Sequence, residues 1–258
     1  GTFAGRSDAI MVMSIDNVHH KVKLTSIMRD VRVYMGDGSP YDSGYDKLNH
    51  AYMYGGPEQA IRTINQNFGL DIQDYVTVNF SAMAKIVDAF GGVNIDLTEE
   101  EVEQININMR DLAATSPDSM AGDVSTYAPL SAGEGVLLNG DEAVAYGRIR
   151  AIDNDNGRVE RQQEVLSALL SKASSISKLE YPSIIQQLAP LCETSLTFDK
   201  MIGLAQIALT GFDIERLSIP SDVEGYASDY CEGGGWMWTY DTDVAAQHIH
   251  EFIYEDEN

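Results

Sequence analysis

The stretch DYVTVNFSAMAKIVDAFGGVNIDL, residues 74–97, decides the predicted fold class. Residues 74–80 are rich in β-branched and aromatic side chains, which predicts a strand. Ser81 can cap a following helix, and the two glycines at 91–92 can end it. Residues 92–97 predict a second strand. A strand–helix–strand unit is typical of layered α/β proteins, so we predict an α/β fold.

A hairpin precedes this unit. Residues 8–16 and 21–27 are two β-rich runs separated by a four-residue loop. In a symmetric pairing Asp8 lies opposite Arg29, and directly opposed residues share a face of the sheet. A slip by one residue would separate the two side chains. We therefore expect Asp8 beside Arg29 at the open end of the hairpin.

The rest of the chain alternates helical and irregular segments without repeats or a clear linker, which predicts a single domain of residues 1–258. Residues 98–133 are polar and poorly periodic, which indicates a long surface excursion. Residues 221–235 indicate a long Gly-rich loop. The other predicted elements are two helical pieces broken at Gly55–Gly56 within 45–69, helices at 139–146, 158–178, 182–191, 198–210 and 241–254, and a strand at 213–219.

The composition excludes several classes of partner. Asp and Glu number 40 against 17 Lys and Arg, a formal net charge of −23. Such a charge disfavours binding to nucleic acid and docking on anionic membranes. The sequence contains no run of about 18 apolar residues, so it predicts no transmembrane helix. Cys192 and Cys231 are compatible with two free thiols or with one disulfide, and both alternatives remain open.

Four arginines within residues 148–161 contrast with this acidity. Arg148 and Arg150 follow Gly147 at a spacing of two, which predicts a short strand with both guanidinium groups on one face. Arg158, Arg161 and Gln162 lie on one face at the start of the predicted long helix, where free N–H groups favour anions. Because guanidinium groups match phosphate oxygens, the pattern indicates a pyrophosphate-sized anion site. The alternative is surface ion pairing of Arg158 and Arg161, with partners drawn from Asp153, Asp155 and Glu160.

Five motifs in order carry a resemblance to a known family: GRSDAIMVMSID (5–16), KLTSIMRD (23–30), KLNHAYMYGG (47–56), LNGDEAVAYGRIR (138–150) and DNDNGRVERQQEVL (153–166). The chain resembles the LytR-CpsA-Psr family over about residues 5–170. The resemblance implies a layered α/β/α core with a central mixed β-sheet flanked by helices. It also implies an extracytoplasmic enzyme that uses Mg²⁺ to move a teichoic-acid- or capsule-like glycopolymer from a polyprenyl-pyrophosphate carrier to peptidoglycan.

The same resemblance implies roles for single residues. Asp8 matches the family's metal-binding aspartate, and Arg29, Arg148 and Arg150 match the arginines on the pyrophosphate. Lys47 matches the basic residue at the mouth of the pocket. Arg158, Arg161 and Gln162 match the family motif whose residues line the site for the head group of the carrier.

Two departures from the family pattern accompany these roles. Met28 stands where the family usually has proline. The family's upstream strand, which supplies a second metal-binding aspartate, and its N-terminal membrane anchor precede the first residue of this chain, so Asp8 is the one expected metal ligand.

Other readings remain open beside the transferase. The chain can be a non-catalytic polyprenyl-phosphate-binding or regulatory protein, or a lipid pyrophosphatase. Asp8 or a neighbouring acid can act as the base in the transfer reaction. Asp30 can cap the next turn, packing is favoured for His50, and Trp236 and Trp238 indicate a strand edge rather than a ligand platform.

Overall fold

The computed structural model describes residues 5–115, 117–153, 155–177, 179–208, 212–231 and 235–255. The chain divides into two compact units, which we name by their place in the sequence. The central unit is Val76–Phe212, and the terminal unit combines Ala4–Tyr75 with Asp213–Asn258. The single domain of residues 1–258 stays a prediction.

The helices and strands are numbered in chain order. The terminal unit begins with β1 (Met11–Asp16), β2 (Lys21–Ile27), β3 (Arg32–Tyr34), β4 (Tyr45–Lys47) and α1 (Leu48–Phe68). The central unit contains β5 (Val76–Thr77), α2 (Phe80–Ala89), β6 (Val93–Leu97), α3 (Glu99–Thr115), β7 (Gly133–Leu138), α4 (Gly140–Tyr146), α5 (Asp155–Ser174), α6 (Tyr181–Leu188), β8 (Glu193–Thr194) and α7 (Phe198–Ala208). The terminal unit resumes with β9 (Asp213–Ile219), β10 (Ala227–Cys231), β11 (Gly235–Thr239) and α8 (Thr242–Tyr254).

A three-stranded mixed sheet organises the terminal unit. Its middle strand β2 runs antiparallel to β1 and parallel to β9. Asp16 lies opposite Lys21 and Met11 opposite Ser26, which confirms the predicted hairpin and its register. β2 is buried from Val22 to Ile27 because it has a strand on both edges and α8 packs against it. The mixed sheet with its packed helix confirms the α/β fold class.

Helix α1 is broken where the sequence predicted it. Gly55 and Gly56 have non-helical backbone angles, and Gly56 has φ 63° and ψ −157°. Only glycine adopts this region without strain, because any Cβ would clash with the backbone. Pro57 then opens the second helical piece, where a missing N–H costs nothing.

The prediction of a loop over residues 221–235 was wrong for most of that range. It contains a short 3-10 helix at Asp222–Glu224 and strand β10, which pairs antiparallel with β11. Residues 232–234 lie outside the described part of the chain. Trp236 and Trp238 lie on β11, as the strand interpretation required. The polar residues of β10 concealed this hairpin, because most of its side chains are exposed.

The strand–helix–strand unit of the central unit differs from its prediction. β5 comprises only Val76–Thr77 and pairs with β8, whereas β6 pairs with β7. The two strands therefore belong to different sheets. Asn79 caps α2 in place of Ser81, because its side chain accepts a hydrogen bond from the Ala82 N–H at 2.8 Å.

The predicted surface excursion over residues 98–133 was also wrong, because it contains the 17-residue helix α3. Ile105, Met109 and Leu112 are buried at helical spacing and pack into the core of the central unit. The remaining face of α3 carries polar and acidic side chains, which hid the narrow apolar stripe.

The other predicted elements are confirmed with shifted ends. Helices α4, α5, α6, α7 and α8 and strand β9 all occur where the sequence placed them. The predicted ends of two helices, at residues 178 and 209–210, lie outside the described residues. Cys192 and Cys231 are both free thiols. Within the described ranges, no helix has the length and apolar composition that crossing a bilayer requires.

Helices α2 and α4 approach each other at a glycine. A Cβ atom placed on Gly140 would lie 1.9 Å from the Ala84 carbonyl oxygen. The Gly140 N–H donates to Asp88 Oδ1 at 2.7 Å, which fixes the start of α4 against α2. A side chain at residue 140 therefore requires the two helices to separate.

We expect Gly140→Ala to lower the free energy of unfolding by about 1–3 kcal/mol, because the new methyl group overpacks this contact. Urea unfolding followed by circular dichroism measures the change. Gly203→Ala in α7 is the matched control, since no atom lies within 4 Å of its Cβ position. Equal stability of the two variants would contradict the close approach.

Candidate functional site

Asp8 and Arg29 form an ion pair at the open end of the β1–β2 hairpin. Arg29 Nη1 donates to Asp8 Oδ1 at 2.5 Å. The hydrogen bond from Ile27 N to Ile10 O, 2.9 Å long, extends the ladder beyond β1 and brings the two segments together. The pairing expected from the register is confirmed. Asp8 remains half exposed, so its carboxylate is accessible to solvent.

Asp30 joins Arg29 to Lys47. One Asp30 oxygen accepts a hydrogen bond from Arg29 Nε at 3.1 Å, and the other accepts one from Lys47 Nζ at 3.2 Å. Asp30 is only 9% exposed. A carboxylate between two cations offsets their mutual repulsion and allows them to lie side by side. The sequence allowed Asp30 to be a cap of the next turn. Its position directly after Arg29 was the signal for this role.

Backbone hydrogen bonds fix the position of Lys47. Lys47 is the last residue of β4 and lies opposite Arg32 of β3. The Leu48 N–H donates to the Val31 carbonyl at 3.0 Å, and the Asn49 N–H donates to the Arg29 carbonyl at 2.9 Å. We call Asp8, Arg29, Asp30 and Lys47 the terminal cluster. It holds two cations in a fixed arrangement, which is the charge that a phosphate group requires.

A buried network that sequence analysis missed lies next to Lys47. Asp46 is fully buried and accepts hydrogen bonds from the Tyr54 hydroxyl at 2.6 Å and the Lys47 N–H at 2.7 Å. His50 Nδ1 lies 2.9 Å from the same carboxylate. Burial and the Asp46 carboxylate raise the pKa of Tyr54 well above its ordinary value. His50 is buried, in agreement with its predicted packing role.

Residues 148–150 form a turn, so the predicted strand was wrong. The last turn of α4 continues into this segment, because Arg148 N donates to Ala145 O and Ile149 N donates to Tyr146 O. Ile149 is fully buried between the two arginines. The Arg148 guanidinium carbon lies 4.4 Å from the centroid of the Phe80 ring, and Arg150 is exposed.

Arg161 is a buried structural cation. It donates to Asp153 through Nη1 and Nη2, at 3.2 and 2.5 Å, and to Glu101 through Nε at 3.1 Å. Burial lowers and the two carboxylates raise its pKa, with a net upward direction. The ion-pair alternative holds for Arg161 with Asp153, and Glu101 of α3 is a second partner that the alternative did not include. The side chain of Asp155 lies outside the described part of the structure.

Arg158 and Gln162 are the fourth and eighth residues of α5, because that helix begins at Asp155 rather than at Arg158. Arg158 is 4% exposed. Gln162 Nε2 donates to the Gly147 carbonyl at 3.1 Å and so supports the turn that carries Arg148. The head-group contacts of Arg158, Arg161 and Gln162 stay predictions. So does the convergence of Arg29 with Arg148 and Arg150, which belong to different units.

The donor set near Asp8 fits a metal ion only in part. Among the described residues, no group of three His, Cys, Asp or Glu side chains is placed to hold one. Asp8 offers one half-exposed carboxylate, and Arg29 already occupies its Oδ1. Mg²⁺ commonly uses one or two carboxylates, water and substrate phosphates, so Asp8 suits an ion shared with a substrate.

An open cavity of about 700 Å³ lies in the central unit. It is lined by Asp88, Gly91, Gly92, Thr126–Ser131, Val136–Asn139 and Glu142. Burial, followed by the nearby carboxylates, raises the pKa of Glu142. None of the predicted phosphate-binding residues lines this cavity.

Comparison with known proteins shows clear relatives. Residues 1–252 match the LytR_cpsA_psr family. The chain is 30% identical over 220 residues to the polyisoprenyl-teichoic acid–peptidoglycan teichoic acid transferase TagV of Bacillus subtilis (strain 168), covering 83% of this chain and 52% of that protein. It is 30% identical over 254 residues to the transferase TagU of Bacillus mycoides (strain KBAB4), covering 96% of this chain and 72% of that protein. The chain thus spans from about half to less than three quarters of the length of these relatives.

Solved structures share the fold. TagT bound to LIIa-WTA superposes with a TM-score of 0.74 at 24% identity, covering 96% of this chain and 86% of that one. TagT with bound octaprenyl pyrophosphate lipid superposes with a TM-score of 0.69 at 22% identity, covering 96% and 85%.

We expect Arg161→Met to lower the free energy of unfolding by about 1–3 kcal/mol, because it leaves Glu101 and Asp153 without their shared cation. Thermal and urea unfolding measure this loss. Arg110→Met is the control, since Arg110 is exposed on α3 and donates to the Asn106 carbonyl. An equal free energy of unfolding for Arg161→Met and Arg110→Met would show that the ion pairs of Arg161 do not stabilise the fold.

Proposed function

Because the chain belongs to the LytR-CpsA-Psr family, we propose that it transfers a glycopolymer from a polyprenyl-pyrophosphate carrier to peptidoglycan. The curated relatives are named as teichoic acid transferases, and one structural neighbour binds octaprenyl pyrophosphate. A teichoic-acid-like polymer fits these names, and a capsule-like polymer is the alternative. The observation that carries the proposal is the fixed pair of cations, Arg29 and Lys47, on the Asp30 carboxylate.

In this proposal Arg29 and Lys47 bind oxygens of the pyrophosphate. Their positions are set by Asp30 and by the backbone of β3 and β4, so they need little rearrangement when charge develops. Preorganised cations stabilise a transition state better than mobile ones, because no reorganisation accompanies the reaction. Negative charge grows on the departing polyprenyl phosphate, where these cations act.

Arg148 and Arg150 are proposed separately as phosphate-binding residues of the central unit. Gln162 holds the turn that carries Arg148, and the Phe80 ring lies beside its guanidinium group. Both contacts restrict the side chain without using all of its five N–H donors.

The proposed reaction is a single phosphoryl transfer. A hydroxyl oxygen of peptidoglycan attacks the phosphorus attached to the first sugar of the polymer. The bond from that phosphorus to the bridging oxygen breaks, and polyprenyl phosphate departs with the electron pair. The product is a phosphodiester between polymer and peptidoglycan. Asp8 or a neighbouring carboxylate accepts the hydroxyl proton.

We also propose that Asp8 and the phosphates of the substrate hold Mg²⁺. When bound, the ion supplies charge neutralisation at the phosphate oxygens. An extracytoplasmic, membrane-anchored location follows from the proposed substrates, since a polyprenyl carrier resides in the membrane and peptidoglycan outside it.

A transfer assay tests the function. The protein, a polyprenyl-pyrophosphate glycan and a peptidoglycan acceptor should give acceptor-linked polymer. Tight carrier binding without turnover would support a binding or regulatory protein instead. Release of a phosphosugar without acceptor would support a lipid pyrophosphatase.

We expect Arg148→Ala and Arg150→Ala each to weaken carrier binding at least tenfold, with a nearly unchanged melting temperature, because Arg148 is only half-buried and Arg150 is exposed. Isothermal titration with polyprenyl pyrophosphate measures the affinity. Arg110→Ala removes an exposed arginine of the same unit and serves as control. Unfolding of either variant would show a structural arginine instead.

We expect Asp30→Asn to weaken carrier binding and to lower kcat, because the neutral amide no longer holds Arg29 and Lys47 in place. The amide also donates rather than accepts at one position, so one of the two contacts is lost. Asp37→Asn, a change of the same charge outside the cluster, is the control. Binding that strengthens in Asp30→Asn would show that the carboxylate acts only by repelling phosphate.

A further inference from the structure

The β10–β11 hairpin presents aromatic side chains on one face. Trp236 lies opposite Tyr230, and Trp238 lies opposite Ser228. Directly opposed residues project from the same face of a sheet, as do residues two apart on a strand. Tyr230 is 82% exposed and Trp236 is 37% exposed. The hairpin therefore carries two accessible aromatic side chains at directly opposed positions.

This aromatic face adjoins the terminal cluster. Lys47 Nζ lies 5.3 Å from the centroid of the Trp236 ring. The Trp238 N–H donates to the Asp30 carbonyl at 3.0 Å, and Trp238 forms a parallel bridge with Val31. The hairpin is thus bonded to the backbone of Asp30, and its Trp236 ring lies against the Lys47 ammonium group of the proposed phosphate site.

The Trp236 ring is also held in place. It meets the Trp238 ring edge to face at 4.9 Å, and Trp238 meets Tyr226 in the same way at 5.2 Å. Such contacts favour a fixed ring orientation and reduce the entropy lost when a ligand stacks on the ring. The Trp236 ring is therefore fixed in orientation and partly open to solvent. It lies beside the cationic site formed by the terminal cluster.

We infer that Trp236, with Tyr230 beside it, stacks against a pyranose ring of the carrier-linked glycan next to the pyrophosphate. The inference rests on the proposed function and adds a sugar subsite to it. The apolar C–H face of a pyranose suits the negative face of an aromatic ring, and its hydroxyl groups stay in water. Lys47 joins both sites, since its ammonium group lies against Trp236 and is a proposed phosphate ligand.

The ligand chemistry excludes a lipid tail as the preferred occupant. An acyl or prenyl chain gains most from a concave apolar pocket, whereas this face is exposed and bordered by charged side chains. A sugar attached to phosphate matches both an aromatic ring and a neighbouring cation. The glycan of the acceptor has the same ring chemistry, so the experiment separates donor from acceptor.

The test compares two carriers by isothermal titration: undecorated polyprenyl pyrophosphate, and the same carrier bearing a disaccharide. Trp236→Ala is expected to weaken binding of the glycan-bearing carrier about tenfold and to leave the undecorated carrier unchanged. Trp236→Phe should restore part of the loss because it retains a ring, and Tyr230→Ala should give a smaller loss. Tyr254→Ala, which removes another exposed aromatic ring of the terminal unit, should change neither affinity.

Three results would overturn the inference. Equal weakening of both carriers would mean that Trp236 acts by positioning Lys47. A raised KM for peptidoglycan with unchanged donor binding would place the sugar contact on the acceptor. Loss of self-association in Trp236→Ala, measured by sedimentation, with unchanged affinities, would make the face a contact between copies of the chain. Failure of the unmodified protein to bind either carrier would instead overturn the proposed function.

Discussion

The register of the β1–β2 hairpin is the constraint on which the terminal unit depends. Because β2 is buried on both faces and pairs with β9 as well, a slip by one residue would turn its side chains to the opposite faces. The same register brings Asp8 to Arg29, and Asp30 follows three residues after Ile27, the last paired residue of β2. The positions of Lys47 and of the aromatic hairpin follow, since both bond to this segment.

Carboxylates explain how an acidic chain uses its few cations. Arg161 donates four hydrogen bonds, to Asp153, Glu101 and the Ile149 carbonyl, and its side chain is 7% exposed. Within the described residues, Arg29 bonds through Nε and Nη1 and is 21% exposed. The contacts of Arg161 therefore support the structure. The contacts of Arg29 orient its guanidinium group and leave other N–H donors available to a ligand. A net charge of −23 therefore does not oppose the proposed phosphate site, because one of the acidic residues, Asp30, positions its two cations.

The sequence allowed prediction of features with a strict periodicity or a local signal. The hairpin register, the Gly55–Gly56 break, helix α4 and the Asp8–Arg29 pair all followed from residues close in sequence or symmetric about a turn. Features set by distant contacts were missed. No local signal connects Glu101 to Arg161 or Trp236 to Lys47, since these pairs meet only after folding. The strand prediction for residues 148–150 was wrong because helical hydrogen bonding continues from α4 into this segment. The spacing of Arg148 and Arg150 alone had suggested a strand.

The interrupted terminal unit has a consequence for the order in which the sheet can form. β2 and β9 are neighbours in one sheet, yet the whole central unit separates them in the chain. A nascent chain that ends before residue 213 holds the complete central unit but leaves one edge of β2 open. Open strand edges recruit wrong partners, and pairings between distant segments form slowly. The terminal sheet is therefore completed only after β9 becomes available to pair with β2.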